Sequence, residues 1–66
     1  MGGVQLLTFQ ARLGARIREL RLARGFAQEA FADVCELHRT HISLLERGQI
    51  DVKIGTLLKI SAALKI

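Results

Sequence analysis

Apolar residues recur at helical spacing along most of this chain, and a few punctuating residues cut the pattern into four helices. Phe9, Leu13, Ile17 and Leu20 define one apolar face, with Arg12, Arg16 and Glu19 lying off it. Gly25 stops this run, since glycine accepts the left-handed conformation that a helix C-cap needs. The spacing predicts a lead-in over residues 1–7, then a first helix over about 8–24 with Thr8 as its cap. Gly14 lies inside that helix at some cost in stability and permits close packing against a neighbour. A second helix is predicted over about 28–34, facing inward with Ala30, Phe31, Val34 and Cys35. Ala27 occupies its cap position and cannot accept an N–H bond, a loss of roughly 1 kcal/mol that Glu29 offsets in part through the helix dipole. Glu36 sits in a tight turn. A third helix follows over about 39–46, with His38 at its cap, Leu37, Ile42 and Leu45 inward, and Gly48 at its end. After a loop at 49–52, a fourth helix over about 53–64 carries Ile54, Leu57, Leu58, Ser61 and Leu64 along one face. That face reads as core, leaving Ile60 and Ile66 for a partner surface.

The stretch QEAFADVCELHRTHISLLERG, residues 28–48, organises the rest. Two short helical segments flank a break at Cys35-Glu36-Leu37. The second has Arg39, Thr40, His41 and Ser43, all able to hydrogen-bond, beside Ile42 and Leu45, which are not. A short helix with a polar, partly basic outer face and a narrow apolar stripe suits insertion into a DNA major groove.

Composition narrows the class. A chain of 66 residues is one domain and buries only about 60% of the surface its unfolded form exposes. The single cysteine excludes an intrachain disulfide. Half the residues are hydrophobic and proline is absent, which argues for a globular, all-helical fold. The net charge of +4 favours a polyanionic partner. It is unevenly spread: residues 1–24 carry five Arg against Glu19, and residues 47–66 carry Arg47, Lys53, Lys59 and Lys65 against Asp51. Between them, Arg39 faces Glu29, Asp33, Glu36 and Glu46. No signal peptide, myristoylation motif or apolar run of membrane-spanning length is visible, and the balance fits the cytoplasm of a cell that exposes its DNA there.

The segments LGARIRELRLARGFAQEAFA (13–32), HRTHISLLERG (38–48) and IGTLLKISAAL (54–64) resemble the Xre/Cro family of phage-repressor-like helix-turn-helix proteins over about residues 13–66. HRTHISLLERG is also similar to the controller proteins of restriction–modification systems, a subgroup that activates and represses its own operon. The resemblance implies a compact lambda-repressor-like domain over residues 8–66, four helices here where the family usually has five, with helix 3 in the major groove. It implies a transcriptional regulator that reads a pseudo-palindromic operator in double-stranded DNA as a homodimer. By position, Gln28 would bond a phosphate and brace a base contact; His38, Arg39, Thr40 and His41 would meet the groove or its rim; Ser43 and Arg47 would reach phosphates. Arg21 and Glu46 would form the family's partly buried ion pair. The residue types agree: Arg39 can bond guanine O6 and N7, Thr40 and Leu44 can touch a thymine methyl, and Gln28 opens a helix N-terminus.

The chain departs from the family at Ala27, where Ser or Thr is frequent, at Glu36, where Gly is frequent, and near Val52, where Pro is frequent. Glu36 must either take a left-handed conformation or change the turn. The family usually continues into a fifth helix that often supplies its dimer interface, where this sequence stops at Ile66, so a truncated chain and pairing through helix 4 both stay open. A zinc site at Cys35, His38 and His41 is the weaker reading, since such sites need four ligands and the turn separates Cys35 from helix 3. No catalytic set or phosphate loop can be assembled, so neither an enzyme nor a cofactor is expected. The alternative function is a protein-interaction module of the same fold, such as the antitoxin partner of a toxin–antitoxin pair.

Overall fold

Four helices follow one another: α1 (Gly2–Ala23), α2 (Gln28–Cys35), α3 (Arg39–Glu46) and α4 (Ile54–Leu64). This computed structural model describes the backbone of residues 2–66 and the side chains from residue 8 onward; Met1 and the side chains of the predicted lead-in lie outside the described residues. α1 packs on α3, α3 on α2, and α2 on α4. The predicted lead-in is replaced by helix, because Val4-Gln5-Leu6-Leu7 holds no residue that breaks one. Thr8 accordingly lies inside α1 rather than at its cap.

All four helices end in the same turn. A residue in the left-handed conformation follows the last helical turn, and the next N–H reaches back to a carbonyl five residues earlier. Phe26 bonds Arg21 O at 3.1 Å, Leu37 bonds Ala32 O at 2.9 Å, Gln49 bonds Leu44 O at 2.9 Å and Ile66 bonds Ser61 O at 3.1 Å. In two of these turns the left-handed residue is Gly25 or Gly48, with φ of 78° and 70°. In the others it is Glu36 or Lys65, with φ of 59° and 60°. Of the two routes open to Glu36, the chain takes the strained one, at roughly 1–2 kcal/mol. The turn therefore keeps its shape, and with it the angle at which α3 leaves α2.

Ile17, Phe31, Ala32, Cys35, Ile42, Leu45, Ile60 and Leu64 form the core. Burial raises the pKa of the Cys35 thiol, which keeps it protonated as a small core hydrophobe. Three predicted faces are displaced. On α1, Phe9 is 61% exposed, and the buried stripe runs through Gln10, Gly14, Ile17 and Arg21. On α2, Ala30 and Val34 are exposed and Ala32 is buried. On α4, Ile54, Leu57 and Leu58 are exposed, while Ile60 and Leu64 are buried. Ile60 is thus core and not partner surface, and Ile66 alone of that pair is exposed.

The α1 stripe explains its own displacement. A methyl group on Gly14 would overlap the carbonyl oxygens of Leu45 and Glu46, and one on Gly48 would come within 2.7 Å of Ala11 Cα. α1 and the end of α3 touch backbone to backbone, which only glycine allows. The crossing therefore turns Gln10 inward and leaves Phe9 beyond it.

Gly14→Ala and Gly55→Ala should move stability in opposite directions. Alanine is the better helix former by about 1 kcal/mol. At Gly14 that gain is lost to overlap with α3, for a net destabilisation of about 1–3 kcal/mol. At Gly55, where nothing lies within 4 Å, a gain of about 0.5–1 kcal/mol is expected. Urea titration of both variants checks the two signs.

Candidate nucleic-acid interface

α3 divides sharply between residues that hold it and residues that face outward. Ile42 and Leu45 are buried at 0% and 1% exposure, and Glu46 is buried beside them at 6%. His38, Arg39 and Thr40 at its N-terminal end are exposed, His41, Ser43 and Leu44 are half-buried, and Arg47 is exposed just past its end. At about 100° per residue, Ile42, Leu45 and Glu46 fall on one side and Thr40 and Leu44 on the other, while Arg39 projects near Glu46 and is exposed because it stands at the first turn. Leu44 lies one turn on from Thr40, so the outer strip runs from polar to apolar along the helix.

The anchor is an ion pair. Arg21 Nε donates to Glu46 Oε2 at 2.6 Å, and Arg21 Nη2 donates to Glu46 Oε1 at 3.0 Å. The third nitrogen, Nη1, donates to the backbone carbonyl of Phe26 at 2.6 Å. The guanidinium fork thus matches the carboxylate in two parallel bonds, the strongest geometry such a pair has. It joins α1, the α1–α2 loop and the end of α3. Side-chain exposures of 5% and 2% shelter the pair from water. Phe26 is held a second time, its ring packing on Phe31 at 5.5 Å and 52°.

Gln28, the first residue of α2, joins this cluster. Its Nε2 donates to Glu46 Oε1 at 3.2 Å. This bond, the contact with the Phe26 carbonyl and the burial of Gln10 are all absent from the expectations drawn from the sequence. Gln10 could have been found by extending the spacing 14, 17, 21 back one turn from Gly14, the position already read as permitting close packing. Nothing in the sequence links Gln28 to Glu46, which lie 18 residues apart.

The helix starts are open. Ala27 at the start of α2 and His38 at the start of α3 have extended backbones and make no side-chain cap bond. The first-turn N–H groups of both helices therefore keep their attraction for anions. Arg47 is exposed and folds back on its own helix, with Nε donating to Ser43 O at 3.3 Å. On α1, Arg16 is tied to Glu19 at 2.6 Å in an exposed pair. Cys35 lies in the core and His38 on the surface, and among the described residues no three His, Cys, Asp or Glu side chains gather as a metal site. No described helix is long and apolar enough to cross a membrane.

Known proteins are similar to this chain in sequence and fold. Residues 17–66 match the family model described as HTH_3, helix-turn-helix. The control protein C.BamHI of Bacillus amyloliquefaciens is 43% identical over 54 residues, which are 80% of this chain and 67% of that protein. The control protein C.MunI of Mycoplasma sp is 39% identical over 56 residues, 83% of this chain and 76% of its own length. The crystal structure of the restriction-modification controller protein C.AhdI from Aeromonas hydrophila superposes with a TM-score of 0.88 at 38% identity, covering 91% of this chain and 87% of that one.

Glu46→Ala leaves the Arg21 guanidinium buried without a counter-charge and should destabilise the fold by about 3–5 kcal/mol. Replacing both residues by methionine removes the uncompensated charge and should cost much less. Denaturant melts of the single and double variants check this; equal losses would mean the two residues are not coupled.

Proposed function

The chain belongs to the Xre-like helix-turn-helix family of DNA-binding transcription regulators, and on that footing we propose that it reads an operator half-site with α3 in the major groove, as a homodimer. The observation that carries this reading is the split of α3, whose Ile42, Leu45 and Glu46 are locked inside while His38, Arg39 and Thr40 stand exposed at the end that enters a groove first.

In the proposed complex, Arg39 makes a bidentate bond to guanine and Thr40 and Leu44 meet thymine methyls. His38 and His41 lie at the groove edge. Ser43, Arg47 and Gln28 take backbone phosphates, Gln28 beside the open first turn of α2. These phosphate contacts set the register and the base contacts set the sequence. The likeness to proteins named as restriction–modification controllers supports a regulator that acts on the operon of such a system.

The homodimer draws support from α4. Ile54, Leu57 and Leu58 form an exposed apolar stripe at 77%, 38% and 65% exposure, a surface of the kind that marks interaction sites. Two copies joined there would present two copies of α3 to half-sites about one helical turn apart on a pseudo-palindrome. The same stripe favours the second reading, a module that docks a protein partner such as a toxin.

Arg39→Ala should weaken binding to a selected operator by about tenfold or more while leaving binding to random DNA little changed. An equal loss on both would reduce Arg39 to a phosphate contact. Operator affinity should fall steeply with salt, because each phosphate contact releases counterions. Salt-insensitive binding to a protein, with no DNA retained, would favour the second reading.

Leu58→Glu places a charge in the α4 stripe. By sedimentation equilibrium it should turn a dimer into monomers, with half-site cooperativity lost; an unchanged mass would remove α4 from the interface.

A further inference from the structure

We infer that Glu46 is a positioning residue for DNA recognition, acting through the side-chain amide of Gln28. The inference rests on the reading above, in which Gln28 meets the DNA backbone, and adds what prepares Gln28 for that contact.

Glu46 Oε1 accepts two bonds, from Arg21 Nη2 at 3.0 Å and from Gln28 Nε2 at 3.2 Å. A carboxylate offers no donor, so Gln28 can turn only its NH2 group toward it. The amide thereby loses the freedom to flip. The carboxylate cannot rotate to follow, because Arg21 grips both its oxygens and is itself held by the Phe26 carbonyl at 2.6 Å. Restraint passes from the end of α1, through the end of α3, to the first residue of α2. What Gln28 has left is one N–H and its carbonyl oxygen, at a helix start that no side chain caps.

Two consequences follow. A glutamine side chain that must be ordered on binding loses rotamer freedom, a penalty of roughly three- to tenfold in affinity. Here the ordering is done in the free protein. The charge of Glu46 would repel phosphate if it stood alone. Its pairing with Arg21 allows a carboxylate close behind the interface, where a neutral acceptor would hold the amide less firmly.

The test is a double-mutant cycle on operator affinity, using DNA selected from a random pool by the wild-type protein. Four proteins are compared: wild type, Gln28→Ala, Arg21→Met with Glu46→Met, and the triple variant, each checked by denaturant melt to be folded under assay conditions. The methionine pair should lose roughly three- to tenfold, Gln28→Ala at least as much because it removes the contact itself, and the triple variant no more than Gln28→Ala alone. Wild-type affinity in the methionine pair, or losses that multiply in the triple variant, would overturn the inference alone. Failure of the wild type to select any DNA would overturn it together with the reading it rests on. A second measurement needs no variant that must fold: 15N relaxation of the Gln28 side-chain NH2 in the free protein. An order parameter approaching the rigid-backbone value of about 0.85 is expected, and one below about 0.6 overturns the inference.

Discussion

The buried bond between Arg21 and Glu46 is the constraint on which the other parts depend. It joins residues 25 apart in sequence and closes the molecule across α1 and α3, which share no turn. Hydrophobic contacts bring these helices together but leave them free to slide, since apolar burial has no direction. A guanidinium fork on a carboxylate has a direction, and it fixes how far along α1 the end of α3 rests. A pair of this kind adds little net stability over a well-packed apolar one. Its contribution is to make one arrangement far better than its neighbours.

That specificity works because the backbones are already close. The carbonyls of Leu45 and Glu46 lie against Gly14, and Gly48 lies against Ala11, so the ion pair acts across a contact with little play. The same closeness explains why the core can be small. Much of the α1 surface that faces α3 is not apolar at all: it is Gln10, Gly14 and Arg21 around Ile17. Phe31 and Ile42, both fully buried, supply the apolar centre on the other side.

This mixture decides what could be seen in the sequence. The number of helices, the limits of α2, α3 and α4 to within about one residue, and the glycine stops at Gly25 and Gly48 were all legible, because spacing and punctuation are local signals. The start of α1 was not, since nothing there forbids helix and nothing in the pattern demands it. The buried faces were misread wherever hydrophobicity and packing part company. On α1 the packing face carries polar residues and glycine, and on α4 the richest apolar stripe faces outward while Ile60 turns in. A rule that seeks the greasiest face cannot tell a core face from an apolar face left exposed. At the site, Arg21 and Glu46 could be named from the resemblance, and the structure pairs them. The amide of Gln28 bonded to Glu46 could not, because it depends on how three helix ends converge.

α3 keeps its fastenings along its later turns and its exposed polar residues at its N-terminal end. Ile42, Leu45 and Glu46 are spoken for by the interior, while the side chains of His38, Arg39 and Thr40 are exposed. Substitutions at the outer positions can therefore accumulate without passing through an unfolded or misassembled ancestor. On the proposed reading, in which these positions meet the bases, a lineage built on this scaffold can drift toward a new target one codon at a time.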